Sequence, residues 1–123
     1  GGLPTNGETV YARLYTYING VTEHTDYTYT AAAQAVMTTP APSTVLAGST
    51  VTFSWTAGTG NTTGYSLWLG STVGTNNLYH SGATVATSVT ATGLPTNGET
   101  IYARLYTYIN GVTEHTDYTY TAQ

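Results

Sequence analysis

Residues 93–122 read GLPTNGETIYARLYTYINGVTEHTDYTYTA. Two runs rich in Thr, Tyr, Val and Ile, Thr100–Ile109 and Val112–Thr121, flank Asn110-Gly111. Such residues suit a pleated, half-buried surface. Asn-Gly between two such runs marks a two-residue hairpin turn, because both central residues of that turn need positive φ. The segment is therefore a β-hairpin, and it sets the fold class as all-β. The same letters occur once more, at 2–31, as GLPTNGETVYARLYTYINGVTEHTDYTYTA. The copies lie 91 residues apart and match at 29 of 30 positions, differing only at Val10 against Ile101. Self-similarity with a period near one small domain marks an array of beads. Residues 1–31 are thus expected to be the last two strands of a preceding repeat. Residues 32–44 then form a linker and first edge strand, and 37–122 a complete repeat that shares that strand.

Working outward, the complete repeat reads as seven strands without helical periodicity. The first lies near Ala35–Met37 and Val45–Leu46, broken by Pro40 and Pro42 as befits an edge. In Ser49–Thr56, Val51, Phe53 and Trp55 alternate with Thr50, Thr52 and Ser54, which gives one face to a core and the other to water. A turn at Gly58–Gly64 leads into Tyr65–Leu69, with Tyr65, Leu67 and Leu69 on one face and Trp68 on the other. Leu78–Tyr79 and Val85–Ala91 follow, and then the closing hairpin. Within Thr100–Ile109, Ile101, Ala103 and Leu105 are out of phase with Tyr102, Arg104, Tyr106 and Tyr108. Burying Arg104 without a partner would be costly, which favours the aliphatic set as the core face. The expected core is Val51, Phe53, Trp55, Leu67, Leu69, Val89, Ile101, Ala103 and Leu105.

The stretch Thr50–Trp55 (TVTFSW), with Leu94-Pro95 and then Thr100-x-Tyr102-x-Arg104-Leu105, resembles the fibronectin type III family and its bacterial immunoglobulin-like relatives. The resemblance covers 37–122. It departs from the family in the longer spacing between Leu-Pro and Thr-x-Tyr, filled by Asn97-Gly98-Glu99. It implies a seven-stranded antiparallel β-sandwich used as a spacer or adhesion module, preceded here by the extra hairpin.

Composition narrows the function. The chain has no cysteine and no lysine, and with its three histidines neutral its only cationic side chains are Arg13 and Arg104 against six acids, for a net charge of −4. Nucleic acids and anionic membranes require a basic patch, and none can be built. No stretch is apolar enough to span a bilayer as a helix. Charged residues are 7% of the chain, and 29 threonines and 12 tyrosines take their place. A surface of hydroxyls with little charge repels its own copies weakly, which suits a secreted, self-associating or glycan-coated protein at a prokaryotic cell surface. Asn61-Thr62-Thr63 is an N-x-T sequon that makes Asn61 a candidate glycosylation site.

No cofactor or metal is expected. His115 and Asp117 lie two apart on one strand and share a face, but two ligands fall short of the four a structural zinc site takes. Without Cys, Lys or a nucleophile–base motif, the chain does not read as an enzyme. The remaining candidates are surfaces. A lone hairpin is marginal in water, so residues 2–31, with Val10, Leu14, Tyr11, Tyr15, Tyr17, Tyr27 and Tyr29, must dock. The dock is either the missing strands of a preceding repeat or another copy's sandwich. The second case is strand exchange with Ala31–Thr44 as hinge, which would yield a filament. Tyr102, Tyr106, Tyr108, Tyr118 and Tyr120 suggest an aromatic stripe on one sheet face. Three readings stay open for it: contact with identical copies, ordinary cross-strand pairing, or glycan stacking with Trp68 and Tyr65. The function this adds up to is a structural repeat of an extracellular filament, stalk or adhesin. The alternative is a carbohydrate-binding or spacer module of a secreted multidomain protein.

Overall fold

The computed structural model describes residues 3–123, which carry β1 (Thr9–Ile18), β2 (Val21–Thr30), β3 (Met37–Thr39), β4 (Val51–Trp55), β5 (Thr62–Gly70), β6 (Tyr79–His80), β7 (Ser88–Ala91), β8 (Thr100–Ile109) and β9 (Val112–Thr121). No helix occurs among the described residues. All named strand pairs are antiparallel and fall into three sheets, β1–β2, β3–β4–β7 and β6–β5–β8–β9. Both hairpins stand where the sequence places them. Asn19 and Gly20 have φ of 50° and 75°, and Asn110 and Gly111 54° and 73°. These are the paired left-handed values that a two-residue turn needs, and a β-branched residue there would be strained.

Period-two alternation builds the core. Val51, Phe53 and Trp55 of β4 point inward, as do Leu67 and Leu69 of β5 and Ile101, Ala103 and Leu105 of β8, and together they form one buried cluster shared by the two larger sheets. The aliphatic phase of β8 is thus the inner one, and Arg104 stays on the outer face. Val89 is only partly buried against the cluster. Leu46, Leu94, Ala91, Ala35, Met37, Tyr65 and Tyr120 extend it. Trp55 and Tyr65 lie against each other, ring centroids 5.9 Å apart.

Pro40 and Pro42 mark a change of sheet. β3 pairs with β4, and beyond the prolines Val45 forms a parallel bridge with Thr121 at the edge of β9. Backbone bonds from Ser43 N–H to Thr119 C=O (2.7 Å), Leu46 N–H to Thr121 C=O (2.8 Å) and Thr121 N–H to Thr44 C=O (3.0 Å) cover the C-terminal end of that edge. That end of the edge is closed to pairing with other chains.

Candidate assembly surface

The two hairpins are the same object in different surroundings. β1 pairs with β2 and β8 with β9 over ten residue pairs each, Arg13 opposite Asp26 and Arg104 opposite Asp117. Each arginine grips its aspartate through two bonds, 2.7 and 3.0 Å in the first copy and 2.8 and 3.0 Å in the second. Tyr15 meets His24 edge-on at 5.9 Å, and Tyr106 meets His115 at 5.8 Å. The bases close alike, Ala31 N–H to Glu8 C=O and Ala122 N–H to Glu99 C=O, both 2.8 Å.

Burial separates them. Leu14 is 60% exposed and Leu105 1%; Ile18 is 52% exposed and Ile109 0%; Tyr29 is 60% exposed and Tyr120 1%. β8 lies along β5 from Ile109 opposite Thr62 to Tyr102 opposite Gly70, with one shift of register between Thr62 and Gly64, whereas among the described residues β1 has no strand partner but β2. The inner face of β1–β2, formed by Val10, Ala12, Leu14, Thr16, Ile18, Val21, Tyr27 and Tyr29 with Glu23 and Thr25 among them, is therefore a largely apolar surface on which no described residue packs along most of its length. Fully burying a leucine or isoleucine side chain contributes about 1.5–3 kcal/mol, and the first copy forgoes this.

The register corrects the expected tyrosine stripe. Residues directly opposite across an antiparallel pair point to the same face, and Tyr120 stands opposite Ile101 and Tyr118 opposite Ala103. Tyr118 and Tyr120 therefore belong to the inner face, and only Tyr102, Tyr106 and Tyr108 remain outside. Tyr120 packs edge-on against Phe53 at 5.5 Å, its hydroxyl donates to Pro40 C=O at 2.9 Å, and burial raises its pKa well above the ordinary tyrosine value. The Tyr118 hydroxyl accepts from Met37 N–H at 3.1 Å. Tyr65, a candidate for glycan stacking, is also inside, its hydroxyl accepting from Gly58 N–H at 2.9 Å. In the first copy, Tyr11, Tyr15 and Tyr17 share the outer face with Arg13, while Tyr27 and Tyr29 share the bare inner face with Val10 and Leu14.

On the outer face of the four-stranded sheet, Trp68 meets Tyr106 edge-on at 5.1 Å, continuing the row to His115. Its hydrogen bonds to Arg104 hold the Asp117 carboxyl below the usual carboxylate range, with burial opposing. His115 Nε2 stands 4.0 Å from Asp117 Oδ2, a contact rather than a hydrogen bond. Among the described residues no three His, Cys, Asp or Glu side chains gather as metal ligands. Asn61 is exposed beside the β8–β9 turn, its carbonyl accepting from Asn110 N–H at 3.1 Å, so the sequon lies on the surface.

Comparison of the chain with protein-family models, with curated proteins and with solved structures returned no match.

Proposed function

We propose that this chain is a structural, non-catalytic repeat of an extracellular or cell-surface array, a filament, stalk or adhesin, whose unit is a fibronectin III-like or immunoglobulin-like sandwich of seven strands. One observation carries the reading. Near-identical hairpins occur in a single chain, one seated on a five-strand body and the other bare. A bare copy with an intact apolar face is the natural complement of a second body of the same kind, preceding it in a tandem series.

Tandem seating is favoured over hairpin exchange between chains. Among the described residues there is one body, and it is already filled by β8–β9. Exchange would swap one hairpin for its near-twin and leave another bare, with Val10 a methylene smaller than Ile101. It gains no buried area, so it has no driving force of its own. Low charge and abundant threonine support a prokaryotic cell-surface setting, with identical neighbours as the partners and Asn61 open to a glycan.

The alternative, a carbohydrate-binding or spacer module, draws on the partly exposed Trp68–Tyr106 pair, which is a small aromatic platform. Near-identical copies favour the array, since accessory modules diverge. Negative-stain electron microscopy of the native material, with light scattering of the 123-residue chain, decides between them. Rods or filaments with an axial repeat of one unit support the array. Isolated single units carrying glycan affinity would replace it with the module.

A further inference from the structure

The segment between hairpin and body, Ala31–Val36, is where consecutive repeats would be joined, and its hydrogen bonds are unusually complete for a linker. Ala33 N–H donates to Thr59 Oγ1 at 2.8 Å. Gln34 N–H turns the other way, to Thr5 C=O at 3.0 Å. Ala35 N–H donates to the buried Thr107 Oγ1 at 3.1 Å, and Val36 N–H to Thr56 Oγ1 at 2.9 Å. The carbonyls are used as well: Ala32 C=O accepts from Gly7 N–H at 3.2 Å, Ala33 C=O from Thr59 N–H at 3.0 Å, and Val36 C=O from Thr56 N–H at 2.9 Å. The Gln34 side chain bridges both sides, its amide nitrogen to Thr5 Oγ1 at 3.2 Å and its oxygen accepting from Thr116 Oγ1 at 3.3 Å.

Packing reinforces this. Ala31 and Ala35 are buried. A Cβ on Gly60 would lie 2.7 Å from the Ala32 Cβ, and one on Gly58 3.2 Å from the Ala33 carbonyl oxygen, so the body's turn approaches the linker as closely as glycine permits. A flexible tether of the Gly/Ser kind leaves its backbone to water. Here four successive amides, 33 to 36, are all bonded, three of them to threonine hydroxyls of the body and its seated hairpin.

We propose that Ala31–Val36 is a rigid joint that fixes the spacing and twist between a hairpin-ended repeat and the next. Resting on the array reading for its consequence, this makes the assembly a stiff rod rather than a string of free beads. The partner surface is the loop base of the preceding repeat, Thr5 to Glu8. It meets the body through the linker, which Thr56, Thr59, Thr107 and Thr116 hold from the other side. Thr96 to Glu99 repeat the sequence of Thr5 to Glu8 at the far end of the body, so the same half-joint recurs there.

Distances between pairs of spin labels test the joint in the intact chain, which has no native cysteine to interfere. One pair spans the joint, Thr28→Cys with Ser88→Cys. The reference pair, Thr119→Cys with Ser88→Cys, uses the repeat-equivalent position in the seated hairpin. The expected result is a joint-spanning distribution as narrow as the reference, broadened when Gly-Gly-Ser is inserted between Ala33 and Gln34. A broad distribution with the native linker, whatever the state of the hairpin, overturns the proposal. So does an insertion variant as narrow as its parent. Absence of rods in micrographs bears on the array reading alone, whereas these widths bear on the joint alone.

Discussion

Leu14 and Leu105 are the same residue in the same sequence context, so replacing each by alanine isolates what seating does. Leu105 is almost wholly buried against β5 and the facing sheet, while Leu14 is more than half exposed. Truncating a buried leucine removes its transfer free energy and leaves a cavity, at a cost of about 2–5 kcal/mol. A domain of this size is stable by about 5–15 kcal/mol, so Leu105→Ala removes a large share. At about 4–8 °C per kcal/mol for a small domain, a loss of about 3 kcal/mol lowers Tm by about 12–24 °C. Leu14→Ala should stay within about 0.5 kcal/mol, as exposed substitutions do. Equilibrium urea unfolding followed by tryptophan fluorescence reads the difference directly, because Trp55 and Trp68 both lie in the body. Equal losses for the two variants would refute the reasoning, since they would mean that β1–β2 is seated in a body as β8–β9 is.

Other expectations follow from the same pairs of sites. Thr107→Val strands the buried Ala35 amide and should destabilise by about 1–3 kcal/mol, while Thr16→Val, its repeat equivalent on the bare face, should be near neutral by the same unfolding assay. Burial holds Tyr120 neutral beyond the ordinary tyrosine pKa of ~10. Its contribution is therefore complete below pH ~10 and is lost as pH rises from there towards the folded-state value. Tyr120→Phe should remove that alkaline loss, and a variant whose stability falls above pH ~10 as steeply as its parent's would count against this. Asp117 is depressed by Arg104, so its contribution is present above the unfolded carboxyl pKa of ~3.9 and is lost as pH falls through the lower folded value. With the carboxylate 39% exposed, solvent screening limits it to about 0–1 kcal/mol. Acid titration of Asp117→Asn, compared with its parent, measures it.

Most of the architecture was legible because period-two alternation and Asn-Gly turns are local signals. Thr100–Ile109 and Val112–Thr121 have the boundaries read from the sequence, and the phase of β8 followed from the cost of burying Arg104. The tyrosine stripe does not follow from residue type alone, because register decides which face each tyrosine takes. A two-residue turn at 110–111 pairs positions whose numbers sum to 221, which sets Tyr120 opposite Ile101 and Tyr118 opposite Ala103. That arithmetic needed no structure. The joint was not legible, since it depends on Thr59, Thr107 and Thr116 converging on Ala33–Ala35 from distant parts of the chain. In a sequence with 29 threonines, nothing distinguishes those three. Strand starts inside loops were also blurred: β5 begins at Thr62 rather than Tyr65, and β7 at Ser88 rather than Val85.

The central claim is that β1–β2 is the closing hairpin of a repeat whose body lies before it. Fusing a further copy of residues 32–91 directly ahead of the hairpin supplies that body. Amide hydrogen exchange should then show the β1 amides from Val10 to Ile18 acquiring the protection of Ile101 to Ile109 in β8. Protection of β1 unchanged from the 123-residue chain would contradict the account.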